Sequence, residues 1–211
     1  MATVLTQNEQ RVILKGVSWE TYERLLSEHE GSTGTRFTYD RGTLGIMVLS
    51  AKHEAIRHTL GLLVEILAEE LNTDVYGLGS TTFRRVDLQR GFEPDGCFYV
   101  SREASARGKE RIDLTIDPPP DLVIEIDVSH PSLDKFPIFA AVGVPEVWRY
   151  DEDHLGVFKL ENGQYIESTE STALPGVTAE VLSRFLSDSQ HLRRTEWLRA
   201  VRQWARTRTQ S

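Results

Sequence analysis

The chain has 211 residues, 39% of them hydrophobic and 27% charged, which is enough apolar material for one sizeable core and too much for a disordered chain. No apolar run approaches the roughly 18 residues that cross a bilayer, and the start shows no basic end before an apolar stretch, so no signal peptide and no membrane partner are expected and the address is read as the cytoplasm. The net charge of −8 argues against a protein that coats nucleic acid, and the single cysteine, Cys97, excludes an internal disulfide or a cysteine-based zinc site.

In chain order, Ser18 is read as the N-cap of a helix over 19–30 that ends near Gly31. Residues 37–39 and 44–48 flank Asp40-Arg41-Gly42, a turn signal, and predict a β-hairpin. Ser50 caps a long helix over 51–72, whose Ile56, Leu60, Leu63, Leu67 and Leu71 recur at three- and four-residue steps as one buried stripe. Short strands follow over 75–76, 81–86 and 97–100. A polar stretch then leads to the most apolar strand, 122–128. A short helix over 134–141 is stopped by Gly143, and Pro145 leads into a strand over 146–150.

A second hairpin, 155–160 with 164–167, turns at Glu161-Asn162-Gly163, where Asn-Gly supplies positive φ angles. The chain closes with a helix over 179–186 and a basic helix. From Ser189 onward, six arginines face one acid, Glu196, a surplus of five positive charges that leaves the other 188 residues at −13. A basic tail on an acidic body suggests a phosphate-bearing partner. On the basic helix Arg199, Arg202 and Arg206 share one face and Trp197, Val201 and Trp204 another, a stripe expected to dock on the domain or on a second subunit. Strands and helices alternate without a linker, which predicts an α/β domain over 1–188 followed by the basic helix and tail over 189–211.

Two segments hold the informative acids. One is Phe92-Glu93-Pro94-Asp95-Gly96-Cys97-Phe98-Tyr99-Val100. The other is Pro120-Asp121-Leu122-Val123-Ile124-Glu125-Ile126-Asp127-Val128-Ser129. Alternation along a strand sets Leu122, Ile124, Ile126 and Val128 on one face and Asp121, Val123, Glu125 and Asp127 on the other. Carboxylates in a strand suited to a core are costly unless paired or bound to a metal. If the two strands are neighbours, Asp95 and Glu125 converge on one cation, and all-oxygen ligation suits Mg²⁺ or Mn²⁺ better than zinc.

The stretch EPDGCFYV, with PPPDLVIEIDVSHPSLDKFPIFAAVGVPEVWRYD, resembles the Uma-type bacterial restriction-endonuclease family of the PD-(D/E)xK nuclease superfamily. The resemblance runs from about Phe37 to Glu167. It implies a restriction-endonuclease-like mixed central sheet flanked by helices and metal-dependent phosphodiester hydrolysis. Asp95 matches the acid of PD, Glu125 the second acid, and the main-chain carbonyl of Ile126 a third metal ligand. The lysine usually found two positions after that acid is replaced by Asp127, and Lys135 takes its place from the following segment. Gly45 stands where the family commonly carries a glutamate, and His53 and Glu54 match a histidine–glutamate pair as accessory residues.

The implied enzyme is a Mg²⁺- or Mn²⁺-dependent DNA endonuclease. Asp95 and Glu125 would hold the ion, Asp127 would orient water or complete a second metal site, and Lys135 would stabilise developing charge. Arg84, Arg85 and Arg90, with Arg199, Arg202 and Arg206, are candidate DNA contacts. A homodimer is expected, since cutting both strands calls for two sites. The alternative is a non-catalytic nuclease-fold protein that binds nucleic acid or a partner protein. No GxGxxG, P-loop or GxSxG signature points to another chemistry.

Overall fold

The computed structural model describes residues 10–29, 34–128, 133–151 and 154–209. The expected helix end at Gly31 and Ser129 of the second acidic segment lie outside them. The class is α/β, with the strands divided between two sheets. The first is five-stranded and antiparallel, in the order β1 (Gln10–Lys15), β3 (Thr43–Val48), β2 (Thr35–Asp40), β6 (Arg90–Phe92), β5 (Phe83–Arg85). The second is six-stranded, in the order β11 (Gln164–Ser168), β10 (His154–Glu161), β9 (Glu146–Asp151), β8 (Leu122–Asp127), β7 (Gly96–Tyr99), β4 (Tyr76–Gly77). Among the described strands only β8 and β9 run parallel; a single turn, α3 (Glu103–Ala106), follows β7, and a short helix, α4 (Phe136–Val142), precedes β9.

The alternation read in β8 is realised. Leu122, Ile124 and Ile126 pack against α2 (Ala51–Glu70), α5 (Ala179–Asp188) and α6 (Arg194–Thr209) in the largest core. Val123 turns the other way, into a second core with Phe139 of α4 and Phe83 and Phe92 of the first sheet. Leu60, Leu63 and Leu67 of α2 are fully buried, each burial worth about 1.5–3 kcal/mol. A third cluster sets α1 (Trp19–Glu28) on the first sheet through Trp19, Tyr22, Phe37, Tyr39 and Leu44. There Gly91 of β6 admits the Tyr22 ring, because a Cβ would fall 2.2 Å from the phenol oxygen.

The caps and turns follow local chemistry. Ser18 accepts from Thr21 N–H and Ser50 from His53 N–H, each closing a helix start. Arg41-Gly42 and Asn162-Gly163 take positive φ at both turn positions, as tight hairpins require. Gly143, at φ 82°, ends α4. The apolar stripe of α6 docks on the domain: Trp197, Val201 and Ala205 join the largest core, and Trp197 Nε1 donates to Phe185 O at 2.7 Å. Two strands have no counterpart in the sequence reading, β1 and β6. All but one side chain of β1 is exposed, so it lacks the alternation that marks a half-buried strand. β6 is three residues long.

Candidate metal and nuclease site

β7 and β8 are antiparallel neighbours, with Gly96 opposite Ile124. One step further in that register sets Asp95 against Glu125, so two acids 30 positions apart are brought together by a single strand pairing. Asp95 is fully buried. His53 Nε2 donates to its Oδ1 at 2.8 Å, and the Ile126 amide donates to its Oδ2 at 2.8 Å. His53 sits in the first turn of α2, which Ser50 starts. Burial would raise the Asp95 carboxyl, but the His53 hydrogen bond, the nearby Lys135 charge and the Ile126 amide outweigh it and hold it below the ordinary range.

Glu125 behaves in the opposite way. Burial pushes its carboxyl up to about 8, with Asp95 and Asp127 adding repulsion that the ammonium of Lys135 only partly offsets. Lys135 occupies the position just before α4, and its Nζ lies against Glu125 Oε1. Pro137 falls in the first turn of that helix, where a missing N–H costs nothing. Burial would lower the Lys135 ammonium, yet the negative charges of Glu125 and Asp95 hold it above its ordinary value. The second oxygen of Glu125, Oε2, is buried and has no hydrogen-bond partner among the described residues.

Two other buried acids of the same sheet show what a structural carboxylate looks like here. Glu146 accepts from Trp148 Nε1, Ser171 Oγ and the amides of Thr172 and Ala173. Asp121 accepts from the amides of Val100 and Arg102 and from Ser101 Oγ. Both oxygens of each are satisfied. Glu125 is the acid left with an unused oxygen, a cost of roughly 1–3 kcal/mol.

Asp127 is held differently from the sequence expectation of a water-orienting or metal-binding acid. Arg11 Nη1, from β1 of the other sheet, donates to Oδ1 at 2.6 Å, and Arg149 Nη2, from β9, lies 3.0 Å from Oδ2. Both oxygens are thus engaged by guanidinium groups, and Asp127 ties the two sheets together. Arg149 also lies over the Phe136 ring, 5.2 Å from its centroid, beside Lys135. Neither Arg11 nor Arg149 was singled out from sequence. The signal available for Arg149 is a charged residue set among Val147, Trp148 and Tyr150, and the structure places it opposite Glu125.

The remaining candidates divide. Glu54 pairs with Arg57 on the surface of α2 and does not accompany His53 to Asp95. Arg90 donates to Asp40, Arg85 to Asp87 and to Leu114 O, and Arg84 lies 3.8 Å from Glu23. Arg202 bridges Glu69 and Glu70 of α2, and Arg206 grips Glu70. Arg199 is exposed. Gly45 lies on β3, where a Cβ would make ordinary contact with Leu133 at 3.5 Å. Cys97 is buried and its thiol is pushed up to about 12 by that burial, so it offers no nucleophile.

Among the described residues, no three His, Cys, Asp or Glu side chains gather as a metal-holding group. The oxygens that would serve an ion completing its shell with water are the unpartnered Glu125 oxygen and the Asp95 carboxylate on the neighbouring strand. Mg²⁺ and Mn²⁺ have that habit, whereas a structural zinc site does not. No helix among the described residues is long and apolar enough to cross a membrane.

Comparison with known proteins adds two findings. The family model Uma2, described as putative restriction endonuclease, matches residues 19–198. Among solved structures, the chain is similar to a putative nuclease belonging to DUF820 from Anabaena variabilis, with 14% identity and a TM-score of 0.46, covering 71% of this chain and 90% of that one. No curated protein matches.

Proposed function

We propose, from the premise that this chain belongs to the Uma2 family of putative restriction endonucleases, that it is a divalent-metal-dependent endonuclease acting on DNA phosphodiester bonds. The observation that carries the reading is the buried Glu125 oxygen without a partner, one strand away from a buried Asp95, in a sheet whose other buried acids are saturated. A buried acid oxygen without a partner calls for an explanation, and a cation beside it supplies one. Asp95 and Glu125 are the residues that would hold Mg²⁺ or Mn²⁺, with the Ile126 carbonyl as the third protein ligand. Bound there, the ion would lower the pKa of an attacking water and neutralise charge on a nonbridging phosphate oxygen.

The chain's own groups supply the rest. His53 and the Ile126 amide fix the orientation of Asp95 and keep it ionised. Lys135, held at the strand end by the start of α4, presents a preorganised ammonium to the phosphoryl oxygens as negative charge builds on them. Asp127 acts through Arg11 and Arg149 and sets where those cations stand.

A second reading, a non-catalytic protein that binds nucleic acid, is favoured by one feature: both oxygens of Asp95 already have donors, so ion binding must share or displace one of them. Plasmid nicking with Mg²⁺ or Mn²⁺ separates the two. Cleavage by the wild type that disappears in both Asp95→Ala and Glu125→Ala supports the nuclease. Binding without cleavage at any divalent-ion concentration supports the alternative.

A further inference from the structure

We infer that Arg149 grips the scissile phosphate, its guanidinium donating to a nonbridging oxygen beside Glu125. The inference rests on the nuclease reading above and adds a substrate-contacting residue that neither the acidic segments nor the basic helix supplies. Parallel pairing of β8 and β9 sets Arg149 directly beside Glu125, on the same face of the sheet. Lys135 meets that acid from the start of α4. Glu125 is thus flanked by two cations that come from different elements.

Arg149 is held differently from the other cations near these acids. The side chains of Arg11 and Lys135 are 9% and 10% exposed, whereas that of Arg149 is 24% exposed and so reaches solvent. Arg11 gives Asp127 a hydrogen bond of 2.6 Å. Arg149 has ion pairs at Nη2, 3.0 Å from Asp127 and 3.6 Å from Asp151, but no hydrogen bond among the described residues, and its Nε is buried without a partner. Arginines paired with carboxylates commonly spend their fork on two parallel hydrogen bonds; here the fork is unspent. The Phe136 ring, 5.2 Å from the guanidinium carbon, fixes its place. Phe136 directly follows Lys135, so one turn of chain seats both the ammonium and the ring under the guanidinium.

A phosphate is the ligand that this arrangement fits. Neighbouring strands lie about 4.8 Å apart, so a phosphoryl group seated over Glu125 is within reach of a side chain rising from β9. An arginine fork meets phosphate oxygens two at a time, which orients the group as well as attracting it. Charge building on those oxygens would be met by a donor already in place. The competing role is that of a counter-ion for Asp127, and Arg11 already serves it with a hydrogen bond.

The test compares Arg149→Ala and Arg149→Lys with wild type, in binding and in cleavage. Binding of a short labelled DNA duplex is followed by fluorescence anisotropy in EDTA across a range of salt. Arg149→Ala should lower the slope of log affinity against log salt by about one, and Arg149→Lys, which keeps the charge, should retain it. In Mn²⁺-dependent cleavage, Arg149→Ala should lower kcat by about 100–1,000-fold. Added guanidinium chloride should restore part of that loss, and equal sodium chloride should not. Arg149→Lys should stay roughly tenfold below wild type, because an ammonium lacks the fork. Mn²⁺ titration without DNA should be unchanged in both variants, which a general disturbance of the acids would not allow. If Arg149→Ala fails to fold, Arg149→Lys decides alone, and a wild-type kcat there overturns the inference. Wild-type salt dependence and cleavage in a folded Arg149→Ala also overturn it, and leave the nuclease reading standing. No metal-dependent cleavage by the wild type removes that reading and this inference together.

Discussion

His53 Nε2 stands 2.8 Å from Asp95 Oδ1, and both side chains are fully buried, 42 positions apart in the chain. The pair is made by the first turn of α2 meeting the start of β7. In the proposed site a histidine there would aim the acid and keep it charged rather than touch the substrate. Replacing it with alanine should raise the Mn²⁺ concentration needed for half-maximal cleavage by about 10–100-fold, in line with other residues that orient metal ligands. Calorimetric titration with Mn²⁺ should show the same weakening in the absence of DNA. An unchanged metal requirement in His53→Ala would remove His53 from the site.

The contrast between Glu125 and Glu146 makes a paired prediction. Glu146 is a satisfied acid, and Glu146→Ala strands four donors, so it should cost about 3–5 kcal/mol in urea unfolding. Glu125→Gln removes a partly unsatisfied carboxylate but also the partner of the buried Lys135, so its cost in urea unfolding should stay well below that of Glu146→Ala while cleavage is lost. Equal destabilisation by the two changes would mean that Glu125 serves the fold.

Asp127 should prove to be a positioning residue. Its oxygens are shared between Arg11 and Arg149, whose strands belong to different sheets. A double-mutant cycle between Arg11→Met and Asp127→Asn should give a coupling energy of about 1–3 kcal/mol, and Asp127→Asn should keep the wild-type metal dependence while lowering the cleavage rate. A shift in metal affinity as large as that of Glu125→Gln would make Asp127 a ligand after all.

These cases show what was legible in sequence. β8 was, because its apolar face and its acids alternate strictly, and the Asp40-Arg41-Gly42 and Asn162-Gly163 turns were, because few residues tolerate their backbone angles. The choice of Asp95 and Glu125 came only through the family resemblance, since by residue type alone Asp121, Glu125 and Glu146 look alike until their donors are counted. The clamp on Asp127 was not legible, because Arg11 lies 116 positions away on a strand with no alternation. The basic face of α6 was visible, but the acids of α2 that hold Arg202 and Arg206 become its neighbours only through packing.

Asp40 gives the fold a measurable acid sensitivity away from the site. Burial would raise its carboxyl, but hydrogen bonds from Arg41 and Arg90 outweigh this and hold it below its ordinary 3.8. A carboxyl lowered in the folded state contributes stability that is complete above about pH 4 and lost as the pH falls through the lower, folded value. The difference in unfolding free energy between wild type and Asp40→Asn should therefore be largest near neutrality and shrink on acidification. A difference independent of pH down to acid unfolding would show that the Arg90–Asp40 bridge between β6 and β2 contributes nothing through charge.

The most direct measurement is Mn²⁺ binding by isothermal titration calorimetry at constant pH on the wild type, Asp95→Asn and Glu125→Gln. The account predicts saturable binding to the wild type that both substitutions abolish, with each variant still folded by circular dichroism. Undiminished Mn²⁺ binding in both folded variants, or none in the wild type, would contradict it.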